Sequence, residues 1–189
     1  LINGARSAGT LYDFNVRNGI TFQGWGLPRL PSTVPALLAG GLSQTSGSLL
    51  MFDQSPTNAL ATDQSHTWTV KLSEEAQGVP LRFTLVWTDP PGNPAAGIKL
   101  VNDLDLIVTN LDTQAVFYGN GIPPGSIFNA PWSTNGPPVL DNINNVENVY
   151  LAPPLATNYS VTVLARNVNV NPVTDRTNIT YALDTVEIR

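Results

Sequence analysis

Two aspartates stand two residues apart in LVNDLDLIVTN (100–110), an otherwise apolar stretch. Alternation along a strand puts Leu104, Leu106 and Val108 on one face and Asp103, Asp105 and Ile107 on the other, with the aspartate Cα atoms about 6.5–7 Å apart. Carboxylates that close repel each other unless water, a cation or an arginine answers them. Calcium is one answer, because it takes six to eight oxygens from carboxylates, amides, backbone carbonyls and water. Asp89, at the end of the preceding strand, and Asp141, Asn144 and Glu147 around LDNINNVEN could complete a shell begun by Asp103 and Asp105. The other answer is a set of solvated acids partly neutralised by Arg82 or Arg166. Spacing leaves the two open, since the chain carries no EF-hand-like loop.

Other chemistries are poorly supplied. His66 is the only histidine, so any Ser–His–Asp triad must use it. Asp63 and Ser65 stand beside it in DQSH, yet triads are assembled across a fold, and His66 at the start of a strand serves as an ordinary half-exposed polar residue. Asp103 and Asp105 point the same way from one face, whereas the two acids of a glycosidase flank a bond across a cleft. Without cysteine there is no disulfide, zinc-thiolate site or thiol nucleophile. Trp132 and Phe128 fall in a long loop and could form a sugar-binding platform, while Trp68 and Trp87 fall on inward strand faces. Asn158 (NYS) and Asn178 (NIT) are glycosylation sequons that matter only in a host that glycosylates.

Hydrophobic residues make up 42% of the 189, enough for a core, and charged residues only 12%, so the surface is built mostly from Asn, Thr, Ser and Gln. With a net charge of −5 and two lysines, Lys71 and Lys99, nucleic acid and anionic membranes are not expected as partners. No apolar run approaches the roughly 20 residues that span a bilayer. The opening LINGARSAGT is not a signal peptide and has no initiator Met, which suggests a chain cut from a longer one.

These residues must be positioned by strands. HTWTVKL (66–72), LRFTLVWTD (81–89), the opening stretch, QAVFYG (114–119), NVENVYLA (145–152), NYSVTVLARNV (158–168) and ITYALDTVEI (179–188) alternate or run apolar, and Gly/Pro/Asn turns separate them. Short strands at this spacing, with no helical period between them, predict an all-β fold, an antiparallel jelly-roll-like sandwich. The weakly patterned segment 119–145 is long enough to be functional or tied down. Residues 1–42 differ in texture: LINGA suits a helix end closed by Gly4, QGWG (23–26) is a turn, and Ser32 can cap a short helix through Leu38. The expected division is therefore 1–42, an incomplete irregular or helical piece, and 43–189, the sandwich.

LINGA, QGWG and LPRL resemble the end of the catalytic domain of subtilisin-like serine proteases (peptidase S8). FTLVWTDPPG, LVNDLDLIV, NNVENVYL and YSVTVLARNV occur in the same order in the secreted members that carry a C-terminal β-sandwich. The resemblance covers nearly the whole chain. It implies that the catalytic Asp, His and Ser lie upstream, that this chain is inactive alone, and that its sandwich stabilises the catalytic domain. It also implies bound calcium, with Asp103, Asp105, Asp89, Asp141 and Glu147 as ligands. Where such proteases carry a Trp-Asp-Gly-Arg-like segment this chain has VLDNI (139–143), so Asp141 alone remains as an acidic ligand there. The partners implied are the upstream catalytic domain and the protein substrates of the parent. The alternative expectation is a carbohydrate- or protein-substrate-binding module of a secreted enzyme, working through the 119–145 loop.

Overall fold

The structure is a computed structural model and describes residues 1–17, 19–33, 49–53, 59–171 and 184–188. Eight strands run through it: β1 Leu50–Asp53, β2 Ser65–Lys71, β3 Leu81–Trp87, β4 Asp103–Asn110, β5 Val116–Tyr118, β6 Val146–Leu151, β7 Asn158–Asn167 and β8 Asp184–Ile188. They form two antiparallel four-stranded sheets, ordered β1-β8-β3-β6 and β2-β7-β4-β5. Apart from the β4–β5 hairpin, which stays within the second sheet, sequential strands alternate between the sheets in this interleaved order, which is the double Greek key of a jelly roll. The fold is all-β, as the alternation predicts.

The core lies between the sheets. Phe83, Leu85 and Trp87 of β3 and Val149 of β6 face Leu104, Leu106 and Val108 of β4 and Val161, Val163 and Ala165 of β7. Strict alternation on β7, with Tyr159, Val161, Val163 and Ala165 buried and the residues between them half-exposed, fixes its register, because a one-residue slip would turn this row to solvent. Trp87 is buried as expected, while Trp68 is only partly covered and packs against Phe52.

The described residues before 34 pack on the outer face of the β3–β6 sheet through Asn3, Ala5 and Phe14. Asn3 donates to Thr84 Oγ1 (3.0 Å) and to the Arg82 carbonyl (3.3 Å). The Arg82 guanidinium donates to the carbonyls of Asn3 and Ala5 and lies 4.8 Å from the centre of the Tyr150 ring. Phe14 stands edge-on to Tyr150, and Trp25, Phe128 and Ile122 close this second small core. The local structure differs from expectation at LINGA, which forms turns and no helix; the one α-helix among the described residues, α1, is Ile20–Gln23. Ser32 ends a 3₁₀ turn, Leu30–Ser32, and the helix expected to run on to Leu38 lies outside the described residues. Strand residues 179–183 and the boundary at 42/43 also lie outside them.

Candidate functional site

β4 and β7 are neighbours in the second sheet, with Leu104 opposite Ala165 and Asp103 opposite Asn167 across a bulge. Leu104 and Ala165 face the core, so Asp103, Asp105 and Arg166 all project from the outer face of that sheet. There the arginine forks across both acids. Arg166 Nη2 is 3.0 Å from Asp103 Oδ2 and donates to Asp105 Oδ1 at 2.9 Å, and Nε lies 2.9 Å from Asp105 Oδ2. Asp105 is buried, 1% exposed, whereas Asp103 keeps some contact with solvent. The Nε contact has ion-pair length but poor hydrogen-bond alignment, so Asp105 Oδ2 and Arg166 Nε are matched by charge alone. Arg82, the other cation weighed from sequence, belongs to the opposite sheet and is spent on residues 3 and 5.

The loop after β5 folds over this pair. Arg166 Nη2 reaches the Asp141 carbonyl at 3.5 Å. The Asp141 carboxylate turns away and closes its own loop, accepting from Ile143 N, Asn144 N, Asn144 Nδ2 and Asn120 Nδ2. Asp89 likewise organises backbone: its two oxygens accept the N–H groups of Val101 (2.9 Å) and Asn102 (2.7 Å), fixing the turn that leads into β4.

Glu147 shares the inward face of β6 with Val149 and Leu151 and is 1% exposed. Its Oε2 accepts the Leu106 N–H of the other sheet at 2.6 Å, and Oε1 has no hydrogen-bond partner. The chain explains this placement. β5 pairs with β4 through Tyr118, Gly119 N still donates to Leu106 O, and then the backbone leaves β4 and crosses to β6, where Asn120 N donates to Asn148 O. Glu147 supplies the acceptor that the departing strand withdraws from Leu106.

Burial sets the electrostatics. Desolvation raises Asp105 to about 6 against the pull of Arg166, and raises Asp103 in the same way. Glu147 is pushed well above the usual carboxylate range by its burial, with the Leu106 N–H bond opposing and the charges of Asp105, Asp141 and Asp103 adding to the rise. Of the five residues expected from sequence, the structure brings Asp103 and Asp105 onto one arginine, sets Glu147 and Asp141 nearby, and commits Asp89 to a turn. Among the described residues no three His, Asp or Glu side chains form a group that could hold a metal ion. Sequence reasoning weighed Arg166 but had no means of choosing it over Arg82, because the choice depends on strand order.

No protein-family model matches the chain. Similarity to curated proteins is partial. The Dictyostelium discoideum protein named serine protease/ABC transporter B family protein tagD is 41% identical over 101 residues, 50% of this chain and 5% of that protein. The tagB protein of the same name and organism is 36% identical over 93 residues, 47% of this chain and 4% of that one. For tagA the identity is 28% over 109 residues, 57% and 6% of the two chains. The chain thus spans only 4–6% of the length of these relatives, and about half of it is a region shared with polypeptides that bear serine-protease names.

Proposed function

We propose that this chain is the non-catalytic C-terminal part of a secreted subtilisin-like serine endopeptidase, comprising the end of the catalytic domain and a jelly-roll that stabilises it. The kinship with serine-protease-named polypeptides supports the protease association. The observation that carries the stabilising role is the two-sided character of residues 1–33. One side is bound to the sandwich through Asn3, Ala5 and Phe14, all buried. The other presents Leu1, Leu11, Phe22 and Leu30, which are 69, 89, 73 and 68% exposed. Apolar side chains gathered on one short segment mark a surface that another body covers, and the body proposed is the upstream catalytic domain.

The test compares this chain with a longer polypeptide of the parent that includes the upstream residues. In the longer form, amide exchange around Leu11, Phe22 and Leu30 slows and an apolar dye binds less. Equal exchange and equal dye binding in both forms would sink the reading. The chain alone hydrolyses no peptide substrate, and hydrolysis by it would be equally fatal.

A binding module for carbohydrate or protein substrate is favoured by one feature. A cleft of about 240 Å³ opens between residues 15–17 and the loop after β5, lined by Val16, Arg17, Ile122, Leu140 and Ile143. Trp132 is less available than the sequence suggests: its ring packs edge-on to Tyr118, and Nε1 donates to the Gly136 carbonyl. Retention on insoluble polysaccharide, lost in Trp132→Ala, would favour this second reading.

A further inference from the structure

Four carboxylates, from Asp103, Asp105, Asp141 and Glu147, are electrostatically coupled at the point where the loop after β5 crosses β4. Asp89 lies close enough to act on Asp103. Arg166 is the one cation in contact with these groups among the described residues. A calcium shell needs six to eight oxygens at roughly 2.3–2.6 Å. In this cluster the oxygens are otherwise engaged. Three of the four oxygens on Asp103 and Asp105 are within hydrogen-bonding distance of Arg166 nitrogens, as is the remaining one, Asp103 Oδ1, at 3.1 Å. Both oxygens of Asp141 accept from its own loop. Glu147 Oε2 is bound to Leu106, which leaves Glu147 Oε1 as a buried acceptor without a partner. As folded, these side chains do not fit a calcium ion.

We propose that Arg166 is the resident cation of this cluster, so that the sandwich keeps its stability without calcium. The fork explains the choice of arginine. Its planar donors satisfy two carboxylates at once and its charge is permanent, which a solvated ion in exchange with its surroundings does not provide. The proposal concerns this chain's own cluster and stands apart from the activity of any parent polypeptide.

The experiment is thermal unfolding of the 189-residue chain, Arg166→Gln and Arg166→Lys, each in millimolar calcium chloride and in EGTA. The wild-type midpoints coincide within about 1 °C, because an ion that does not bind the folded state cannot raise its melting temperature. Arg166→Gln, which loses both the charge and the fork, melts lower than wild type in EGTA. Arg166→Lys, which keeps a charge but loses the fork, melts lower and stays indifferent to calcium. A calcium-dependent rise in wild type or in Arg166→Lys overturns the resident-cation assignment. An Arg166→Gln chain that melts together with wild type in EGTA overturns it as well.

Discussion

The Glu147 carboxylate occupies the space that a Cβ on Gly119 would need. Oε2, Cδ and Cβ of Glu147 all lie against that position, so the glycine is required by close approach of a buried side chain. Gly119→Ala forces Glu147 off Leu106 and should cost about 1–3 kcal/mol, as overpacking does. Urea unfolding measures the loss. In a Glu147→Ala background the same change should cost less, and the double-mutant cycle should show the coupling.

Stability should fall as pH rises. Asp105, at about 6, and Glu147, higher still than an ordinary glutamate, hold protons in the folded chain that the unfolded chain releases near its usual carboxylate values of about 4. Their contribution is therefore complete below about pH 4 and is lost as pH climbs through about 6 and beyond. Glu147→Gln keeps the shape and cannot ionise, so its urea midpoint should decline less over this range than that of wild type. Parallel profiles would show that Glu147 titrates in the folded chain as it does unfolded.

Asn129 ties the two sheets together. Its Oδ1 accepts the Tyr150 N–H of β6 and its Nδ2 donates to the Tyr118 carbonyl of β5, both at 2.8 Å. Asn129→Ala leaves a buried donor and a buried acceptor unmet and should cost about 1–3 kcal/mol. The Tyr150 amide, 1% exposed as a residue, should then exchange faster than the amides at the centre of β7.

Arg82 is the rivet between residues 1–33 and the sandwich. Arg82→Met keeps much of the aliphatic stem and removes the donors to the Asn3 and Ala5 carbonyls as well as the contact with the Tyr150 ring. Limited proteolysis should then cut within residues 1–17 while strands β2, β4 and β7 stay protected. Uniform loss of protection would mean that segment and sandwich unfold as one unit.

The strands were legible because their side chains alternate between core and solvent. β7 and β3 declare themselves in this way, as do the three core residues of β4. The pattern also carried an unheeded signal: Glu147 alternates with Val149 and Leu151, which marks it as inward-facing in spite of its charge. β1, only Leu50–Asp53 and mostly exposed, has no alternating face to read. The site was half legible. Sequence spacing paired Asp103 with Asp105, but the identity of their counter-charge depends on β7 lying beside β4, a property of strand order that no local window contains.

The loop after β5 has a consequence for solubility. β6 ends one sheet, and an open edge there would offer unpaired backbone groups to any passing strand. Asn120 and Asn129 take those groups themselves, exchanging bonds with Asn148 and Tyr150 through both backbone and side-chain amide. Trp132 N–H closes on the Val116 carbonyl at the β5 edge. On this flank a foreign chain finds no ladder to extend, so a sandwich poor in charge gains its protection from self-association there through asparagines rather than through lysines.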